Sequence, residues 1–210
     1  MNERPLRVLH VGCGPKKPDR LPPPFNAPPW QEVRLDIDAG VGPDVLASMT
    51  DMGVIPPSSF DAVLSSHNIE HLYPHEVPLA LAEFTRVLTP QGFVVITLPD
   101  LRRIAEWILA DRLFEMAYIS PAGPIFPFDI LYGFRPALAA GNLYMAHRCG
   151  FTAASLERAL REAGFASVTV RSDGCWSLWA VASVQAVDQA ATGLLADTLI
   201  SGTDDGHAAD

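Results

Sequence analysis

The sequence predicts an α/β fold built on a parallel sheet, and three observations carry that prediction. Short apolar runs bounded by Gly, Pro or Asp alternate with segments of helical periodicity. The first run, Leu6-Arg7-Val8-Leu9-His10-Val11, stops abruptly at Gly12-Cys13-Gly14-Pro15. The second run ends on a carboxylate, Asp36. Glycine lacks a Cβ, so it takes positive φ and lets backbone approach a ligand closely. At the carboxyl end of a first parallel strand, such a turn is where open α/β sheets bind nucleotide-like molecules.

The elements follow in order. Strands are expected at 6–11, 32–37, 60–65 and 92–98, with a shorter one at Asp44-Val45-Leu46-Ala47. A helix is expected from about Pro74 to Leu88, because Val77, Leu81, Phe84 and Leu88 share one face. A second helix is expected from Asp100 to about Ala117. A third runs from Thr152, an N-cap residue type, to Ala163, with Gly164 suited to the C′ position. Late strands are expected at 166–171 and 177–183. Strands alternating with helices give a parallel sheet.

Two segments break this rhythm. Residues 15–29 hold Pro15, Pro18, Pro22, Pro23, Pro24, Pro28 and Pro29, through which no ordinary helix can run. The first crossover helix is therefore expected to be largely replaced by a loop. Residues 118–150 are rich in Pro, Gly and aromatics and too apolar for a solvated linker. With the preceding helix they read as an insertion over about 100–150 that covers the site, its aromatics lining a pocket or forming a mini-core. Residues 1–185 read as one domain. Residues 186–210 read as a weakly structured tail, a weak helix followed by disorder.

Composition sets outer limits. The 210 residues suffice for one domain with a proper core, and 49% are apolar. The net charge is −9 and Lys16 and Lys17 are the only lysines, so nucleic acid is a disfavoured partner. Cys13, Cys149 and Cys175 show neither zinc-knuckle nor redox spacing, which points to a reducing, cytoplasmic setting. The amino terminus lacks a signal-peptide pattern, and no run approaches the ~18 apolar residues of a membrane span.

Several motifs admit rival readings. A dinucleotide site would need a third glycine where Lys17 stands. His67, Glu70 and His71 have helical i, i+3, i+4 spacing, and two imidazoles with a carboxylate can hold a divalent ion. The simpler expectation is that Glu70 and His71 are buried, hydrogen-bonded and structural, with no metal bound. His67 comes directly off the fourth strand, at the rim where substrate would lie. His147 and Arg148 precede Gly150-Phe151-Thr152, where the insertion returns to the sheet; they contact substrate or simply lead into the next helix. Cys149 and Cys175 read as small core residues.

The ordered series resembles the class I S-adenosylmethionine-dependent methyltransferases, in particular their broad small-molecule branch. The resemblance is carried by Gly12-Cys13-Gly14, by Arg34-Leu35-Asp36-Ile37-Asp38, by 44–52, and above all by FDAVLSSHNIEHL at 60–72 followed by RVLTPQGFVVITLP at 86–99. It covers roughly 6–100, with a weaker echo at 150–152 and 163–165. It implies a Rossmann-like three-layer sandwich with a mostly parallel seven-stranded sheet and an antiparallel last strand. It also implies S-adenosylmethionine as cofactor. Gly12, Cys13 and Gly14 would lie under its methionine part, and Asp36 and Ile37 beside the ribose. Ser48, Met49 and Asp51 would flank the adenine, and Ser66 and His67 would stand near the methyl group.

The chain departs from the family at His10, where an acidic residue is usual, at Ser48, where Asp is usual, at Gln91-Gly92, and in the missing first helix. The implied activity is methyl transfer to oxygen or nitrogen of a small molecule by in-line displacement. A hydroxyl acceptor would use a base, with His67, then His147, then Asp129 as candidates. The alternative is a non-catalytic relative that binds cofactor or a partner.

Overall fold

A computed structural model describes residues 4–16 and 21–201. Its core is a seven-stranded sheet of β1 (Leu6–Val11), β2 (Trp30–Asp36), β3 (Val45–Leu46), β4 (Phe60–Ser66), β5 (Leu88–Pro99), β8 (Ser167–Ser172) and β9 (Ser177–Ser183), in the order β3-β2-β1-β4-β5-β9-β8. β1 pairs in parallel with β2, opposing Val11 to Leu35, and with β4, opposing Val11 to Ser65. β9 runs antiparallel to both β5 and β8, so the last strand in sequence alone reverses direction. The chain leaves β1 toward β2 on one side and returns to β4 on the other. That reversal opens a crevice at the carboxyl ends of β1 and β4.

Strand alternation sends side chains to two layers. On one face, Leu9, Val11, Val63 and Ile96 meet α1 (Val77–Val87) through Leu81 and Phe84, and α5 (Ala153–Glu162) through Leu156 and Leu160. The predicted Thr152 cap forms, its hydroxyl accepting from the Ser155 amide, and Gly164 takes a φ of +97° just past the helix end.

The other face is covered differently. No helix joins β1 to β2 among the described residues. Instead Phe25, 2% exposed, packs edge-on against Trp30 with ring centroids 4.9 Å apart and stacks on Phe93. The rest of this face is closed by α6 (Gln189–Ser201), whose Ala196 and Leu199 are fully buried. The expectation of a weak helix in the tail thus needs correcting: this helix packs, and Thr192 shares a buried hydroxyl bond with Thr169 at 2.8 Å. The expected disorder beyond it, at 202–210, lies outside the described residues, as does Lys17.

The second predicted helix is shorter than expected. α2 (Leu101–Leu109) starts at Asp100, whose carboxylate accepts from the Arg102 amide, and stops well before Ala117. Asp111 adopts a φ of +58°, which ends helical geometry, and the Arg112 guanidinium folds back over the Trp107 ring at 3.7 Å. Beyond it the insertion builds a hairpin, β6 (Tyr118–Ser120) and β7 (Gly123–Ile125), then α3 (Pro127–Tyr132) and α4 (Arg135–Ala139). Ile104, Ile125, Ile130 and Trp176 form its own small core, with Tyr118 and Phe134 packed against it. No helix of the described residues is long and apolar enough to cross a membrane.

Candidate functional site

A cavity of about 510 Å³ opens at the carboxyl ends of β1, β2 and β4, within the usual range for small-molecule sites. Gly12 and Gly14 form its floor with φ of +62° and +56°. Asp36 and Ile37 line one wall, and Ser48 and Met49 line the next. Ser66 and His67 close the far end. The glycine turn, the second-strand carboxylate and the exit of β4 therefore line one cavity.

Two residues named in the sequence lie apart from this wall. Cys13 is buried, 1% exposed, and sits behind the turn rather than lining the cavity. The Asp51 carboxylate is outside it and accepts from the Gly53 amide at 3.2 Å. The loop that carries Ser48 and Met49 is braced from behind by α1. Glu83 accepts from the Met52 amide at 2.6 Å, while Arg86 donates to the Met52 and Ile55 carbonyls at 2.9 and 2.8 Å.

Asp36 is held before any ligand arrives. One oxygen accepts from the Gly14 amide at 2.8 Å and the other from the Asp38 amide at 2.9 Å. Each oxygen retains a further lone pair toward the cavity. Beneath it Arg34, 7% exposed, donates to the Gly14 and Gly42 carbonyls and ties the glycine turn to the β2–β3 loop. His10 points to the other face of the sheet, where its Nδ1 meets Glu32 at 2.7 Å. The departure at His10 is therefore absorbed inside the fold, away from the cavity wall.

The cavity also presents an unanswered donor. Asn68 lines it, and its buried Nδ2 has no hydrogen-bond partner among the described residues. Paired acceptors at Asp36, this amide donor and the glycine floor match a ligand that carries vicinal hydroxyls on a central sugar and an anionic group at one end. S-adenosylmethionine has that form.

A second cavity of about 170 Å³ adjoins the first, and His67, His71 and Met145 line both. Its remaining walls include Ile125, Ile130 and Phe134 of the insertion, and Trp176. His67 takes a left-handed backbone, φ +48°, and its amide donates to the Thr97 carbonyl at 2.8 Å. This turns the ring, half-exposed, toward the two cavities. Its Nδ1 stands 3.4 Å from Glu70 Oε1, without the alignment of a hydrogen bond.

Glu70 is buried as expected, at 1% exposed, but neither oxygen accepts a hydrogen bond from the described residues. The expectation of a hydrogen-bonded structural carboxylate fails in that respect. The nearby amides of Arg148 and Cys149 donate to the Glu70 carbonyl instead of its carboxylate. Burial alone would raise the Glu70 carboxyl; the surrounding His67, His71 and His147 outweigh it and hold it below the usual carboxylate range. His147 comes from the insertion to the same corner, and burial pushes its imidazole down, toward the neutral ring. Burial and the Glu70 charge push the neighbouring Cys149 thiol up to about 12, leaving it inert.

Asp129 lines the smaller cavity, but both its oxygens are engaged. It accepts from the Phe126 amide and from the backbone and guanidinium of Arg135, the shortest contact being 2.6 Å. Burial would raise this carboxyl; Arg135 and the two amides more than offset it and hold it below the usual range. Such a group caps α3 and is poorly suited to take a proton.

Sequence reasoning missed Asn142 and Met145, which the insertion brings to the large cavity together with Arg148, offered by the sequence as a substrate contact or a lead into the next helix. The strap is fastened by backbone bonds from Arg148 and Cys149 to the Glu70 carbonyl and by Arg148 Nη1 to the His71 carbonyl at 2.9 Å. No local pattern announces such long-range contacts. The aromatic and His-Arg content of 144–148 was the one available signal.

Residues 9–96 match the family model described as a methyltransferase domain. Comparison with curated proteins finds no match. The fold is similar to that of 1,6-didemethyltoxoflavin-N1-methyltransferase from Burkholderia thailandensis, solved with 1,6-didemethyltoxoflavin and S-adenosylhomocysteine. Identity is 18% over 85% of this chain and 71% of that one, with a TM-score of 0.51. It is also similar to a SAM-dependent methyltransferase from Archaeoglobus fulgidus, at 15% identity over 84% and 85% of the chains, TM-score 0.55. A possible histamine N-methyltransferase from Thermotoga maritima gives 15% identity over 85% and 82%, TM-score 0.54. At these identities the likeness is one of fold.

Proposed function

We propose that this chain is a class I S-adenosylmethionine-dependent methyltransferase that methylates oxygen or nitrogen of a small molecule seated in the lesser cavity. The observation that supports this reading is the wall shared by the two cavities, where His67 faces both. When bound, S-adenosylmethionine supplies a methyl group already activated on sulfur.

The chain's residues have the remaining work. Asp36 accepts from the ribose hydroxyls, and Asn68 Nδ2 donates to the methionine end. Ser48 and Met49 flank the adenine, read there mainly by backbone. Ile125, Ile130, Phe134 and Trp176 exclude water and hold a flat apolar acceptor by shape. Positioning of the acceptor against the methyl group is the main catalytic contribution. For a hydroxyl acceptor, the His67 ring takes the proton at Nε2, because Nδ1 is turned to Glu70. His147 and Asp129 are held by other bonds, which leaves His67 the stronger candidate.

The test is turnover with a panel of small aromatic hydroxyl and amine compounds, read as S-adenosylhomocysteine release. Activity on a small acceptor that falls at least tenfold in His67→Ala, with cofactor affinity little changed, supports the reading. Transfer confined to a macromolecule would overturn it.

A further inference from the structure

The corner between the Ile69–His71 turn and the returning insertion holds an arrangement that methyl transfer does not require. A carboxylate oxygen of Glu70 and a ring nitrogen each of His71 and His147 lie within 4.8 Å of one another. The Nδ1 of His71 faces the Ala146 carbonyl at 3.1 Å, and that of His147 faces the Ile130 carbonyl at 2.8 Å. A carbonyl only accepts, so each Nδ1 carries the proton and each Nε2 presents a lone pair. Such backbone anchoring of the second ring nitrogen is the usual way in which a metal-bound histidine is oriented.

Glu70 supplies the independent observation. It is fully buried, and neither oxygen has a hydrogen-bond partner among the described residues. His67 Nδ1 stands 3.4 Å from Oε1 as an ion-pair neighbour, but a buried carboxylate without aligned hydrogen bonds is strongly disfavoured. Here it lies beside two imidazoles whose Nδ1 protons are directed at carbonyls. A cation at the centre satisfies all three at once.

We propose that Glu70, His71 and His147 bind a divalent cation of the zinc class, with a remaining coordination position open to the lesser cavity. Two imidazoles and one carboxylate suit zinc or cobalt and are a poor set for magnesium or calcium, which prefer oxygen donors. Donors ~2.0–2.2 Å from a tetrahedral zinc stand about 3.4 Å apart, so the three, now within 4.8 Å of one another, draw together by at most about 1.4 Å. His147 belongs to the insertion and the other two ligands to the turn after β4, so the metal clips the insertion onto that turn. If the methyl-transfer reading holds, the open position takes an anionic oxygen of the acceptor, such as a phenolate or enolate, beside His67.

The test needs no substrate. The full-length protein is stripped with chelator, then titrated with ZnCl₂ by calorimetry and with CoCl₂ by visible absorption. The expected result is one equivalent of zinc, intense cobalt ligand-field bands of a low-coordinate site, and no competition by MgCl₂. Zinc affinity is expected to fall at least a hundredfold in His147→Ala and in Glu70→Gln. Retained binding of S-adenosylhomocysteine certifies that each variant is folded. Should a variant not fold, the stoichiometry and cobalt spectrum of the unchanged protein decide. Absence of stoichiometric binding there, or zinc binding unaffected in folded variants, overturns the proposal and leaves the cofactor reading standing. Loss of S-adenosylhomocysteine binding by unmutated protein would instead count against the cofactor reading alone.

Discussion

The side-chain amide of Asn68 lies directly over Gly12: a Cβ at Gly12 would stand 2.3 Å from Asn68 Nδ2. The glycine is required twice, by its φ of +62° and by this contact between the end of β1 and the exit of β4. Gly12→Ala is therefore expected to cost about 1–3 kcal/mol from backbone strain. It should also displace the Asn68 donor from the cavity. Denaturant unfolding reads the first effect and S-adenosylhomocysteine affinity the second; unchanged affinity would remove Asn68 from the site.

Phe25 takes the place of a crossover helix. With Trp30 and Phe93 it fills the layer over β1 and β4. Phe25→Ala should destabilise the domain by about 3–5 kcal/mol, as for other buried phenylalanines. Chemical denaturation checks this, and a loss below 1 kcal/mol would mean that the proline loop is not a true layer of the fold.

The Glu83–Arg86 brace holds the loop behind Ser48 and Met49 without touching the cavity. Glu83→Ala removes the acceptor for the Met52 amide and the partner of Arg86. A lost hydrogen bond of this kind is worth about 1 kcal/mol. Cofactor affinity is expected to fall several-fold while turnover at saturating cofactor is preserved; a fall in kcat alone would contradict the bracing role.

The insertion should loosen in acid. The Asp129 carboxyl is held below its unfolded value, so its contribution to stability is complete above the unfolded pKa, about 3.9, and is lost as pH falls through the folded pKa. Thermal unfolding followed from pH 6 to pH 3 is expected to lose stability below about pH 4. Asp129→Asn should be less stable at pH 6 and show a shallower decline. An identical profile in the variant would show that the pair with Arg135 contributes nothing.

The fold was legible where local pattern and burial agree. The parallel strands are apolar runs cut off by Gly, Pro or Asp, and Thr152 and Gly164 mark the ends of α5 by simple capping chemistry. α2 was overdrawn because its apolar spacing continues past Asp111, where the backbone turns left-handed. α6 was underrated because its buried side is built from small residues such as Ala196 and Thr192, which give a faint amphipathic signal. The cavity wall was readable because Gly12, Gly14 and Asp36 stand at strand ends, where topology fixes their position. The Glu70, His71 and His147 corner was only half visible. Its third member arrives through the insertion, and nothing local to Glu70 reveals that its oxygens lack donors.

The central claim is that the crevice over Gly12 and Asp36 binds S-adenosylmethionine. Calorimetric titration with S-adenosylhomocysteine tests it most directly, in the unchanged protein and in Asp36→Ala. One equivalent is predicted to bind the unchanged protein. Loss of charge-assisted hydrogen bonds at about 1.5–3 kcal/mol predicts roughly 10- to 100-fold weaker binding in the variant. No binding to the folded, unchanged protein, or equal binding to Asp36→Ala, would contradict the account.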